Sequence, residues 1–532
     1  MRGSDASPLK NLEPLPNRFS TIPAGISRRK ITSSESETIT LGLVNAENDL
    51  KAYNVEINRL KANIMVVESR RDGLTKSVAK YRSLLSPIHR VPEEILAYIF
   101  SFCCDENTLN PGYSPPFALT ASAVCGRWRD VVLETPHLWS TISIHFESIF
   151  PREEGVEDED YTWGSHQFTH VIRIFMERSK TAPLDLEFYQ YGEEKFELLE
   201  AGLTCLMDHS NRWRSLKMSA PDHPLLTMPS AFQRLRGHLS NLQHFLVDHS
   251  WSSNEMISIA SDLDLLSECP LLTSIELRIR ADVLRLNPRF PWSRIQSLKL
   301  VGNSLSQVGQ TLASCNNLQQ LELSGFSSST QLSVAGPITT LGQLRYLSFE
   351  RVRDDEFYHF FQSYNLPSLS HLKIRDGCLD LSSLEDFFVR SSCSITSLTL
   401  ELVSSSDVDT LHLLRLVPNL TTFSFEEQGI AEMSDSGLGL KNKIVTTTFL
   451  EQLAMDTGDE STRYLPQLED LTLSIWPLEI SGRRALQHML ASRSTGRLRK
   501  FTLTVRGSKV SAYESLQCFR DVGMQIQLSV LP

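Results

Sequence analysis

With 532 residues and a formal net charge of -11, the chain is too long for one ordinary core, so several units or a repeat array are expected. Hydrophobic residues make up 41% and charged residues 22%, a soluble globular composition. Lys and Arg are interspersed with Asp and Glu and form no basic stripe, which argues against a nucleic-acid partner. No run approaches the roughly 18 apolar residues of a membrane span, and no apolar leader opens the chain. The expectation is therefore a cytoplasmic or nuclear protein with no membrane partner.

Residues 1–40 are rich in Ser, Pro and Thr with little periodicity and read as a disordered tail. Arg28-Arg29-Lys30 reads as a solvated turn in preference to a nuclear signal. The pattern then changes. Leu43, Ala46, Leu50, Tyr53, Ile57, Leu60, Ile64, Val67, Arg71, Leu74, Val78, Tyr81 and Leu85 alternate spacings of three and four. That is a heptad seam, which only a helix aligns into one stripe, so residues 41–86 are expected to form a coiled-coil-like helix ended by Pro87. Self-association, packing within the chain or a different coiled-coil partner would each cover the stripe.

Residues 87–145 read as a small all-α subdomain. Pro92 suits a first helical turn, and Glu93 and Glu94 complement the positive end of the helix. Ile95, Leu96, Ile99 and Phe100 follow as one apolar face. Ala123, Val124, Trp128, Val131 and Val132 are in phase for a second helix, and Pro136-His137-Leu138-Trp139 comes after it. A longer, Pro-rich connection, Asp105 to Pro116, joins the two helices.

Residues 146–209 are expected to be a linker leading into the next region. The acidic run at 152–160 reads as a solvated loop. From 210 to 532 a Leu-x-x-Leu-x-Leu unit recurs, beginning at Trp213, Leu242, Leu272, Ile295, Leu318, Leu344, Leu369, Ile395, Leu420, Leu468 and Leu498. Most spacings fall near the 20–29 residues of a leucine-rich repeat; Ile295-x-x-Leu298-x-Leu300-x-x-Asn303-x-Leu305 carries the full signature. The spacing of 48 between Leu420 and Leu468 allows a degenerate unit or an insertion. Within each Leu-x-Leu the apolar pair points into the core and the residue between them points outward. Helical patterns such as Glu356, Phe357, Phe360, Phe361 and Leu384, Phe387, Phe388 fall between strands. The fold class expected is an α/β leucine-rich-repeat solenoid preceded by the helical subdomain and the heptad helix.

No nucleophile-and-base pattern, phosphate loop or metal-binding helix motif occurs. Gly437-Leu438-Gly439 has no strand-to-helix setting and reads as a loop. The nine cysteines are scattered without a CxxC pair, which favours reduced thiols over a disulfide framework or zinc site. Cys103-Cys104, Cys125 and His137 read as buried core rather than a metal site. Neither catalytic residues nor cofactors nor a metal are expected, and the chain is not expected to be an enzyme. Asn419-Leu420-Thr421 is a formal glycosylation sequon only.

Three separated pieces resemble an F-box in order: Val91-Pro92-Glu93-Glu94-Ile95-Leu96, Val124-Cys125-Gly126-Arg127-Trp128 and Leu138-Trp139. Leu84-Leu85-Ser86-Pro87-Ile88 with its preceding helix resembles the layout of large fungal F-box-like families. Val91 and Gly126 depart from the usual Leu and basic residue. The resemblance implies a substrate receptor of an SCF-type cullin-RING ubiquitin ligase. Pro92, Ile95, Leu96, Ile99, Phe100, Val124, Trp128, Leu138 and Trp139 would then meet the adaptor subunit and, through it, cullin. The outward residues of the repeat strands would face an unknown protein substrate: Lys217, Glu276, Lys299, Glu322, Ser348, Lys373 and Thr399, with Leu246, Ser424, Thr472 and Thr502 in the same row. A scaffold without ligase function, built on the same repeats and heptad helix, is the alternative.

Overall fold

The computed structural model describes residues 30–104, 107–109, 115–145, 158–189, 200–219, 234–248, 263–278, 290–302, 305–325, 338–352, 354–377, 381–427, 444–454, 464–507 and 510–531. The chain divides into two compact units, residues 1–95 and 96–532.

In the first unit, α1 (Ser33–Leu84) is one helix of 52 residues. It begins inside the stretch expected to be a tail. The cause is a capping box: the Thr32 hydroxyl accepts from the Glu35 amide, and the Glu35 carboxylate accepts from the Thr32 amide at 3.0 Å. The Ser and Thr residues that make this stretch look unstructured are thus the ones that start a helix. Pro87 opens a short 3-10 turn, Pro87–Arg90, after α1 has ended. No residue of α1 is buried.

The second unit is organised by one sheet of fifteen strands among the described residues, running from Thr108–Leu109 to Gln525–Leu531. All its pairings are parallel, and neighbours follow sequence order, except that a separate two-stranded pair holds Thr339–Thr340 and Tyr364–Asn365. Parallel neighbours need a crossover each time, and here every crossover moves one strand along. The result is a solenoid-like stack of parallel strands and helices.

Register follows directly from the apolar spacing. Leu298, Leu321, Leu347, Leu372, Leu398, Phe423, Leu471 and Phe501 are successive partners across the sheet. At all eleven spaced units the first, fourth and sixth residues are buried. A slip of one residue would turn this row outward, so the core fixes the register. Helices cover the inner face: Phe349 of Tyr346–Glu350 meets Phe357 and Phe360 of the helix Asp354–Ser363, both at 5.1 Å. Phe361 then meets Phe387 of the next helix, Leu381–Ser391, at 4.6 Å. Earlier in the stack, Leu263–Leu266 and Trp292–Arg294 are 3-10 turns.

Polar side chains repeat with the same period. Asn241 donates to the Asn211 carbonyl and Asn317 to the Ser293 carbonyl, both at 2.7 Å. Ser368 donates to the Gly342 carbonyl at 2.6 Å. The sequon residues belong to this scheme: Asn419 Nδ2 donates to Ser394 Oγ at 3.1 Å and Thr421 to the Thr396 carbonyl at 3.0 Å. After many strands one residue takes a left-handed conformation: Gly302, Gly325, Arg351, Asp376, Leu402 and Gly507. Its amide extends the ladder by one bond, as from Gly325 to the Glu350 carbonyl at 2.8 Å.

Three expectations need correction. The sheet does not wait for residue 210, because Thr108–Leu109, Thr141–His145 and Leu184–Tyr189 are already strands of it. Trp139, Ile142 and Ile144 are buried at the same spacing as the unit that begins at Trp213, and Leu184, Leu186 and Phe188 alternate inward without the leading apolar residue. Residues 87–145 are therefore not all helical. The second helix is in fact two, Phe117–Val124 and Gly126–Glu134.

The spacing of 48 is resolved as an insertion, because Thr422–Glu426 pairs directly with Asp470–Ile475. Buried Glu427 holds its start: the carboxylate accepts from the amides of Ile444 at 3.1 Å, Val445 at 2.9 Å and Trp476 at 2.8 Å. Buried Arg493 holds its end, donating to the carbonyls of Leu453, Tyr464 and Leu465 at 2.6, 2.7 and 3.1 Å. Residues 1–29, Asn303, most of the 105–116 connection, Gly437-Leu438-Gly439 and the acidic run up to Glu157 lie outside the described residues.

Candidate protein-interaction site

Helix α2 (Glu93–Ser101) carries two kinds of apolar residue. Leu96 and Phe100, one turn apart, are buried. Phe100 presents its ring edge-on to Phe117 at 5.8 Å and to Trp128 at 4.8 Å, closing a small core with α3 (Phe117–Val124) and α4 (Gly126–Glu134). The break between α3 and α4 is at Cys125, which is extended (φ -158°) and accepts the Trp128 amide on its sulfur at 3.5 Å. The cysteine of the Val-Cys-Gly-Arg-Trp stretch is thus an N-cap. Gly126 is not sterically required, since a Cβ there would meet nothing within 4 Å.

Two buried side chains fix these helices. The residue before α3 is Pro116, which has no cap to offer. Asn107 supplies it from a distance: its Oδ1 accepts the Ala118 amide at 3.0 Å while its Nδ2 donates to the Leu138 carbonyl at 2.8 Å. Trp139 donates from Nε1 to the Val132 carbonyl at 2.8 Å. Its ring stands edge-on to Phe175 at 5.1 Å, with the Arg178 guanidinium 4.5 Å from its centre. Both partners lie on the helix Asp158–Arg178, so the close of the helical subdomain is welded to the sheet unit.

The expected adaptor-facing residues divide accordingly. Leu96, Phe100, Leu138 and Trp139 belong to the chain's own core, and Trp128 is half-buried against Phe100. Pro92, Ile95, Ile99 and Val124 are exposed. Sequence reasoning placed Ile95, Leu96, Ile99 and Phe100 on one face. The i,i+4 pair that points inward is Leu96 and Phe100, and Ile99 sits about a quarter-turn away. Two apolar residues were missed: Tyr98 and Phe102 are 62% and 68% exposed, with rings 4.8 Å apart. Tyr98 and Phe102 stand together on the surface, and Ile99 of α2 and Val124 at the end of α3 are exposed as well.

The outward row of the sheet is a ladder of lateral ion pairs. Lys217 pairs with Glu187. Glu276 receives Lys299 at 3.2 Å and Arg278 at 2.6 Å, and Lys299 also reaches Glu322 at 3.4 Å. Lys373 pairs with Glu401 at 2.8 Å. Parallel register places Glu187 beside Lys217 and Glu276, Lys299 and Glu322 side by side, whereas Glu401 stands opposite Arg375 and meets Lys373 diagonally. Of the expected target-facing residues, Lys217, Glu276, Lys299, Glu322 and Lys373 are therefore each engaged by a neighbour on the sheet. Ser348 is buried, and Thr399 is half-buried in a stretch that continues as Ser424, Thr472 and Thr502. One end of the face is charged and internally neutralised; the other carries more hydroxyls, with the ion pairs Lys500–Asp470 and Arg506–Glu426 beside them. Among the described residues no group of three or more His, Cys, Asp or Glu is placed to hold a metal ion, and no helix is long and apolar enough to cross a membrane.

Buried helices held by Phe100, Trp128 and Trp139, beside exposed apolar residues, define a small protein-docking module. Residues 88–145 match the family described as F-box-like. The chain thus contains an F-box-like domain followed by a solenoid-like region of parallel strands and helices. No curated protein matches the chain.

Proposed function

We propose that this chain is the substrate-recognition subunit of an SCF-type cullin-RING ubiquitin ligase. In this reading the F-box-like domain docks on the adaptor and, through it, joins cullin. The parallel-strand region acts as a leucine-rich-repeat solenoid that holds a target protein. The chain performs no chemistry itself; it supplies proximity between the target and the ubiquitin-charged enzyme. The carrying observation is the exposed apolar set Tyr98, Ile99, Phe102 and Val124 within the F-box-like domain. Burial of each large apolar side chain contributes about 1.5–3 kcal/mol, enough for a few to sustain an interface. Cytoplasm or nucleus is the setting this role requires.

The paired charges and hydroxyls of the outward sheet row suit a protein surface better than a phosphate or nucleic acid, because Lys217, Lys299 and Lys373 are each paired with a carboxylate. A pull-down on immobilised adaptor tests the reading. Wild type is expected to be retained, and Ile99→Asp plus Val124→Asp, two exposed positions, is expected to be lost while remaining folded. Failure of folded wild type to bind would leave the scaffold reading, in which the same surfaces join other proteins without a ligase.

A further inference from the structure

We infer that α1 joins two copies of this chain as a parallel, in-register coiled coil. Of the twelve apolar residues in its heptad seam, ten are exposed, from Leu43 to Leu85; Ala46 and Leu60 are half-buried. A helix about 78 Å long at 1.5 Å per residue, with no buried residue, carries a 3.5-residue apolar period that only a supercoiled partner can follow along its length.

The seam itself selects the partner. Its a positions are Leu43, Leu50, Ile57, Ile64, Arg71, Val78 and Leu85, three of them β-branched, and its d positions are Ala46, Tyr53, Leu60, Val67, Leu74 and Tyr81, two of them Leu. β-branched residues at a with Leu at d favour two parallel strands, and a single polar a residue, here Arg71, sets register and copy number at some loss of stability. The flanking g and e positions agree. In a parallel pair Asp49 faces Asn54, Glu56 faces Lys61, Asn63 faces Glu68, Arg70 faces Thr75 and Ser77 faces Arg82 of the second copy. None of these is a like-charge pair, and Glu56 with Lys61 of the second copy is an attractive one that symmetry makes twice. Within one copy Glu56 already lies 2.6 Å from Arg59, but both side chains are solvent-accessible and the exchange is nearly neutral. Both copies leave the coil at the same end, so the pair presents two F-box-like domains and two solenoids, whether or not an adaptor binds.

Sedimentation equilibrium of the full-length chain tests this. The expected mass is twice 60.1 kDa at micromolar concentration, and Ile57→Glu plus Ile64→Glu is expected to return it to one copy. Arg71→Leu removes the charged layer and is expected to lower the dimer Kd by about tenfold or more. Oxidised Val78→Cys is expected to yield a peptide cross-linked through residue 78 of both copies. A wild type that stays one copy at 100-fold higher concentration, a dimer indifferent to the Glu pair, a weaker Arg71→Leu dimer, or no 78–78 cross-link in a dimer would each overturn the inference. Arg71→Leu keeps the test decisive if the Glu pair disturbs the helix.

Discussion

The rings of Phe100 and Trp128 meet edge-on with centroids 4.8 Å apart and planes at 62°, joining the later part of α2 to the middle motif of the F-box-like domain. This contact separates residues that hold the domain together from residues that face outward. Phe100 is 3% exposed, so Phe100→Ala is expected to destabilise the second unit by about 3–5 kcal/mol. Ile99→Asp on the same helix is expected to change stability by less than about 1 kcal/mol. Chemical denaturation of both variants checks the contrast; equal losses would contradict the division.

Asn107 serves α3 and the Leu138 carbonyl at once. Asn107→Ala leaves a buried amide and a buried carbonyl unpartnered, and a loss of about 2–4 kcal/mol is expected. Asn107→Asp keeps the acceptor but loses the donor, so it should lose its stability mainly through Leu138. Thermal melts of the two variants, compared with wild type, measure each half.

Arg493 donates to three carbonyls that end the insertion between Glu427 and Leu468. Burial lowers its guanidinium to about 10, still charged at neutral pH. Arg493→Ala is expected to cost about 3 kcal/mol or more. Chemical denaturation measures the loss, and a variant as stable as wild type would contradict the role.

Alkali should loosen the fold. Burial pushes the thiols of Cys269 and Cys315 up to about 12 from an ordinary value of 9. Between those values the folded chain keeps protons that the unfolded chain has released. Their contribution is therefore fully present below pH 9 and is lost as pH rises toward 12. Denaturation midpoints measured from pH 8 to 10.5 should fall, and Cys269→Ala plus Cys315→Ala should flatten that slope. The same burial predicts that a thiol reagent at pH 8 labels exposed Cys518 before either of them.

The left-handed residue after many of the strands is a repeated demand that Gly meets at Gly302, Gly325 and Gly507 and that Arg351, Asp376 and Leu402 meet under strain. Gly325→Ala adds a Cβ with ordinary space, its nearest neighbour being the Gly302 amide nitrogen at 3.8 Å. Any loss must then come from the backbone, and about 1 kcal/mol is expected. Asp376→Gly should move stability the other way in the same melt.

The stacking phase was legible because it depends on residues that touch the core. Every leading position from Trp213 to Leu498 repeats at a period the eye can follow, and all are buried. The three strands before residue 210 were missed because Ile142 and Leu186 alternate over too few residues to stand out from chance. Lys299 and Glu276 were named as facing a target, but their pairing depends on a register linking residues 23 apart in sequence. Asn107 carried no signal, since its two partners lie 11 and 31 residues away. Tyr98 and Phe102 fall beside the motif, and only the inward direction of Leu96 and Phe100 reveals that they point out.

The most direct measurement is the affinity of the purified full-length chain for the SCF adaptor, by calorimetry, beside Ile99→Asp plus Val124→Asp checked for an unchanged melt. Binding by wild type, weakened about 100-fold or more in the variant by loss of roughly 3 kcal/mol or more of apolar contact, is the result predicted. Absence of binding by folded wild type, or equal binding by the folded variant, would contradict it.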